Sequence, residues 1–251
     1  MIIQLAFNEK TYSANLDEPL DISIPLREGK NNPSCYWADP VKFETIESGN
    51  FIGSVARGGS VNYQKLTLTP HGNGTHTECY GHITADGATI NETLRRHHFF
   101  AELISVEPVH LADGDFVITR EAIQQKIKHK TKALVIRTLP NTPDKKSRQY
   151  SGTNPPYLQA DAVLDLVDRG IEHLVLDLPS VDKEVDGGKL AGHRAFWKLP
   201  HAPRTGCTIT ELAFIDWTIP DGLYLMNLQV LNLEMDASPS RPVLYKLAEV
   251  L

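Results

Sequence analysis

Cysteine is scarce: Cys35, Cys79 and Cys207 are the only three in 251 residues, and no two form a Cys-x-x-Cys pair. That excludes a disulfide framework and makes a reducing compartment the expectation. No stretch approaches the roughly 18 apolar residues of a membrane span. The opening MIIQLAFNEK has no basic run and meets Asn8 and Glu9 early. No secretory signal is therefore read, and the expected location is the cytoplasm. Basic charge is not in excess, since 25 Lys and Arg stand against 31 Asp and Glu, a formal net charge of −6. Nucleic-acid binding leans on lysine and arginine contacts to phosphate, so nucleic acid is not an expected partner. Internal repeats and low-complexity tracts are missing as well. Disorder as the global state is excluded, because 41% of the residues are hydrophobic and only 22% are charged.

What is present alternates strands with helices. MIIQLAF, Asp21–Leu26 and Gln64–Pro70 carry apolar and β-branched residues in short runs broken by glycine, proline and asparagine. Ala101–Val109, Ala133–Thr138 and His173–Pro179 read as further strands. Between them, Ile123 and Ile127 share a helical face behind a Thr119 cap. Ala160, Val163, Leu164 and Val167 mark a second amphipathic helix closed by Gly170. Leu139–Pro156, with four prolines, is a loop. Leu223–Leu233 and Pro242–Leu247 return to strand. The succession predicts one α/β domain over residues 1–251, with a mixed, partly parallel sheet and flanking helices.

Three of the ten histidines fall within twelve residues, in His71-Gly-Asn-Gly-Thr-His76-Thr-Glu78-Cys-Tyr-Gly-His82. Imidazoles and a carboxylate are ordinary ligands of Zn²⁺, Mn²⁺ and Fe²⁺. Gly72 and Gly74 let the chain turn so that His71 and His76 can aim at one centre. His76 and Glu78, two apart, face the same side of an extended segment. Cys79 alternates away and is read as packing. His97, His98, His110, His129 and His173 are isolated and are read as surface or satisfied core residues.

The stretch resembles the metal-binding signature His-x-Gly-Thr-His-x-Asp-x-Pro-x-His of the cyclase-type metal-dependent hydrolases, whose members include bacterial kynurenine formamidases and isatin hydrolases. Gly74-Thr75-His76 matches its Gly-Thr-His, Glu78 takes the place of its Asp, and His82 that of its last His. One residue is inserted between His71 and His76, and Tyr80 stands where the family has Pro. Further along, Asp21–Leu26 with Trp37, Leu134–Thr138, Asp177–Asp182, Gly192-His193-Arg194, Thr210-Glu211-Leu212 and Asp221-Gly222 resemble family segments in order.

The resemblance implies a swivelling β/β/α-like fold and one or two divalent ions, zinc or manganese. The first ion would be held by His71, His76 and Glu78, the second by His82, His193 and Glu211. It further implies a small-molecule amide, formamide or lactam as substrate, attacked by metal-bound hydroxide, with His82 or Glu211 as general base and Trp37 as an aromatic wall. A homodimer or homotetramer is expected on the same ground. Tyr36, Phe99 and Phe100 are further candidate walls. Asp177, Ser180 and Asp182, after a strand end, are candidates to orient ligand histidines, with turn capping as the plainer role for Ser180. Arg137 is read as a buried ion-pair partner. Two alternatives stay open: a metal-dependent lyase or cyclase on a non-amide substrate, and a non-catalytic metal- or ligand-binding relative.

Overall fold

Short β-branched segments separated by turns pair into one large sheet. The computed structural model describes residues 1–250. Ten strands form this sheet: β1 (Ile2–Phe7), β2 (Lys10–Asn15), β3 (Leu20–Asp21), β4 (His76–Glu78), β5 (His98–Val106), β6 (Ala133–Thr138), β7 (His173–Leu176), β8 (Thr208–Glu211), β9 (Gly222–Val230) and β10 (Ala237–Glu249). Their order is β1-β2-β10-β9-β5-β6-β7-β8-β4, with β3 beside β10. The pairs β5–β6, β6–β7 and β7–β8 are parallel and the others antiparallel, so the sheet is mixed as expected.

The long β10 closes this path into a ring. Its first residues, Ala237 to Pro239, pair with Glu78 to His76 of β4. Ser240 to Lys246 pair with β9, and Leu247 to Glu249 with β2. A closed sheet has no exposed edge between β4 and β10, and it pins residues distant in sequence beside the histidine-rich segment.

The two-residue period of β6 splits its side chains between two cores. Leu134 and Ile136 pack outward with Ile104, Leu174, Phe196 and Trp197 under the helices. Ala133 and Val135 join Leu103, Val175, Tyr224 and Met226 on the other face. Each fully buried aliphatic or aromatic chain of this kind stabilises by roughly 1.5–3 kcal/mol. Of four short helices, α1 (Ile90–Thr93) buries Ile90 in the second core, while α2 (Arg120–Gln124), α3 (Ala160–Asp168) and α4 (Ala191–Trp197) line the outer one.

Several expectations held in detail. The Thr119 side chain accepts from the Ala122 amide, and Gly170 follows α3 at φ +84°. Arg137 donates to Asp221 at 2.8 Å, to Ser105, and to the carbonyls of Asp216 and Ile219. Others need correction. In the predicted strand Asp21–Leu26 only Asp21 pairs, because Pro25 removes a donor and the Ile24 amide turns to Thr75 Oγ1 instead. The buried stripe of α3 is Ala162, Val163, Leu166 and Val167, while Leu164 is 46% exposed. Helix α4 follows a left-handed Leu190 with no side-chain cap, so no start signal announced it. Among the described residues, no helix is long and apolar enough to cross a membrane.

Candidate metal centre

The turn before β4 sets the first ligands. Gly74 sits at φ +75°, a conformation that residues with a side chain rarely adopt, and a Cβ there would also push on Leu26 Cδ2 at 2.7 Å. Its carbonyl accepts from His76 Nδ1 at 3.0 Å, which turns His76 Nε2 toward the acids. On β4 the expected alternation holds: Thr77 points to the opposite face and meets Thr210 Oγ1 at 2.7 Å, while His76 and Glu78 share the site face. Cys79 is buried with Sγ against the Ala88 carbonyl, a packing role.

The six expected side chains come together, but Glu211 falls beside His76 rather than with His82 and His193, whose donor group is completed by Glu78, and two further carboxylates join them. Glu78 Oε1 accepts from His193 Nε2 at 3.0 Å. Its Oε2 lies 3.1 Å from His71 Nδ1 and 3.8 Å from His82 Nε2. Glu211 Oε2 lies 3.4 Å from His76 Nε2, and its Oε1 accepts the Val181 amide at 2.8 Å. Asp182 accepts from His193 Nδ1 at 2.6 Å and from the backbone amides of Gly192 and His193. Asp236 Oδ2 lies 2.7 Å from His71 Nε2 and 3.2 Å from His82 Nδ1. Asp182 is thus bonded to a histidine of the cluster, the contact that an orienting role requires. Asp177 makes no such contact, because it is taken by Lys145 and Thr138. Ser180 Oγ caps the Asp182 amide. Asp236 carried no sequence signal.

Within this cluster His76 Nε2 and Glu78 Oε2 are buried without a well-directed hydrogen bond, although Glu211 Oε2 stands 3.4 Å from the first and His71 Nδ1 3.1 Å from the second. Two buried lone pairs left open toward one space are costly unless something fills them. Three donor groups each lie within 4.8 Å: His71 with His76 and Glu78, Glu78 with His82 and His193, and His71 with His82 and Asp236. A set of imidazole nitrogens and carboxylate oxygens fits a divalent cation.

The electrostatics make the same case. Burial works against protonating His193, yet Glu78 and Asp182 lift it to about 10. Burial opposes His71 too, and Asp236 and Glu78 again raise it to about 10. Burial would raise Glu78, but His193 and His71 hold it well below the usual carboxylate range. The cluster of acids demands positive charge at its centre, which protons or a metal ion can supply.

The aromatic candidates separate. The loop that carries Trp37 is tied to the His71 turn, through Cys35 N to the Gly72 carbonyl and Cys35 Sγ to the His71 carbonyl. Tyr36 and Trp37 are consecutive left-handed residues, at φ 52° and 54°, and Trp37 is 71% exposed. Burial, and then the Glu211 carboxylate, push the Tyr36 hydroxyl above its ordinary range, while a bond to Ser180 opposes them. Phe99 and Phe100 are not part of the site: they pack on His173 and Phe7, at 3.9 and 4.4 Å, and line a separate cleft of about 1230 Å³. His173, as expected for an isolated histidine, is buried and bonded to Thr208.

A kynurenine formamidase of Bacillus mycoides (strain KBAB4) is 27% identical over 227 residues, covering 90% of this chain and 96% of that protein. A kynurenine formamidase of Delftia acidovorans (strain DSM 14801 / SPH-1) is 25% identical over 218 residues, covering 86% and 96%. Among solved structures, one described as a potential metal-dependent hydrolase with cyclase activity superposes with a TM-score of 0.66 at 20% identity, covering 91% of this chain and 97% of the other. Isatin hydrolase A from Labrenzia aggregata, bound to benzyl benzoate, gives a TM-score of 0.66 at 15% identity, covering 91% and 93%. Those two establish the likeness of fold. The family model described as "Putative cyclase" matches residues 20–183, from β3 to the loop that carries Asp182, and the chain therefore belongs to the cyclase family.

Proposed function

We propose that this chain is a metal-dependent hydrolase that cleaves the C–N bond of a small amide, formamide or lactam, in the manner of an arylformamidase. The carrying observation is the pair of open, buried lone pairs on His76 Nε2 and Glu78 Oε2, set in a cluster of four histidines and four acids. The kynurenine formamidase relatives, aligned over most of their length, support the choice of bond.

His71, His76 and Glu78 would hold one divalent ion, zinc or manganese, with His193 extending the donor set from Glu78 Oε1 and Glu211 from beside His76. Such an ion supplies Lewis acidity and lowers the pKa of a coordinated water toward neutrality. The remaining work falls to side chains. His82 is the most open of the four imidazoles, its side chain 31% exposed. With its Nδ1 hydrogen given to Asp236, His82 Nε2 is left to take a proton from the attacking water and return it to the leaving nitrogen. Glu211, fixed by the Val181 amide, is the alternative base. Trp37, on the loop bonded to the His71 turn, is suited to wall an aromatic substrate.

Hydrolysis of N-formylkynurenine, isatin and aryl formamides by zinc- and manganese-loaded protein tests this reading. Solvent ¹⁸O must enter the product. Turnover without it would favour the lyase or cyclase reading, and metal bound without any turnover the binding-protein reading. We further propose a homodimer or homotetramer acting in the cytoplasm. The arm at residues 42–67 exposes Phe51, Val55, Val61, Tyr63 and Leu66, which supports self-association, and light scattering measures it. The three free, buried cysteines support the compartment.

A further inference from the structure

Each histidine of the centre has one ring nitrogen committed away from Glu78 and Glu211. His76 gives Nδ1 to the Gly74 carbonyl and His193 gives Nδ1 to Asp182. For His71 and His82 the committed nitrogen meets one and the same atom, Asp236 Oδ2, at 2.7 and 3.2 Å. The two rings lie side by side, centroids 4.1 Å apart and 31° from coplanar, and their other nitrogens face Glu78 Oε2. A carboxylate that accepts from the far side of an imidazole fixes its tautomer, its orientation and its strength as a ligand.

The backbone holds Asp236 rigidly in this role. Its carbonyl accepts the Cys79 amide at 3.0 Å, and the Met235 carbonyl accepts the Ile90 amide at 2.7 Å. Ala237 then enters register opposite Glu78. The carboxylate is thus anchored next to the histidines by the same pairing that closes the sheet.

We infer that Asp236 is a positioning residue of the centre: a single carboxylate that aligns His71 as a metal ligand and His82 as the proton carrier. This rests on the metal reading above. The test is zinc affinity, measured by chelator competition on the full chain, for wild type, Asp236→Asn and Asp236→Glu. An amide that replaces the carboxylate cannot accept two imidazole N–H groups with full charge. Asp236→Asn should bind zinc about 10–100-fold more weakly, and Asp236→Glu should recover most of the loss. In parallel, ¹⁵N-edited NMR of the zinc-loaded wild type should place the proton on Nε2 of His71 and on Nδ1 of His82, a readout that needs no variant to fold. Unchanged affinity in Asp236→Asn, or the opposite tautomer at His71, overturns the inference and leaves the metal centre standing. A wild-type chain that takes up no zinc instead overturns the metal reading from which it follows.

Discussion

Glu211 and His76 stand opposite each other across the β8–β4 pairing, with Glu211 Oε2 3.4 Å from His76 Nε2. The sheet register itself brings an acid and an imidazole from 135 residues apart into one donor set. Glu211→Gln should keep the bond to the Val181 amide through its carbonyl oxygen while turning an amide N–H onto the open His76 lone pair. The expected result is a loss of metal affinity beyond the roughly 10–100-fold typical of an orienting partner. Metal analysis after dialysis against a weak chelator measures it.

His82→Ala should separate binding from turnover. The expected loss is about 10²–10⁴-fold in kcat, the usual worth of a positioned acid–base group. Metal content should be retained, because His71, His76, Glu78, His193 and Glu211 remain. Equal losses in metal content and rate would make His82 a ligand first.

Metal removal should also destabilise. A cation that binds only the folded chain adds about 2.7 kcal/mol when free metal stands at 100 times its dissociation constant. Chelated protein should melt below loaded protein, with a difference that grows with metal concentration.

A pH effect independent of the centre is expected at His173. Burial lowers its pKa to about 4, against about 6.5 in the unfolded chain. The unfolded state therefore binds more protons between these values, and stability is lost as pH falls from about 6.5 to about 4. The full effect is up to about 3 kcal/mol. Denaturant midpoints of metal-free wild type should fall more steeply over this window than those of His173→Gln.

Lys145 and Asp177 form a buried pair at 2.8 Å, with side chains 5% and 0% exposed. Lys145→Met would strand the Asp177 carboxylate, which burial already pushes upward. The expected cost is about 3–5 kcal/mol, a fall in Tm on the order of 10 °C by calorimetry.

The sequence revealed the part of the centre that is local in the chain. His71, His76, Glu78 and His82 lie within twelve residues, and a two-residue strand period suffices to align His76 with Glu78. His193 and Glu211 were reachable only through resemblance, since no local spacing links them to the turn, whereas Asp182 was also marked by its place after a strand end. Asp236 was not legible at all: its partners lie 165 and 154 residues away, and only the closure of the sheet delivers it. The same limit applies to the fold. The short continuous apolar runs at 133–138 and 173–176 announced their strands, whereas the strand expected at 21–26 yielded to a tertiary bond from Ile24 to Thr75. Phe99 and Phe100 carried the right chemistry for a substrate wall, but nothing in their local pattern told which end of the sheet they would occupy.

The closing strand β10 also sets an order of events during synthesis. Its pairing with β4 and the placement of Asp236 both await residues 236–239, so a nascent chain that has not yet reached them holds His71 and His82 without their shared carboxylate. The alignment of these two histidines is thereby deferred until residue 236 has been made, and a product clipped before it would lose the ring closure and this alignment in one stroke.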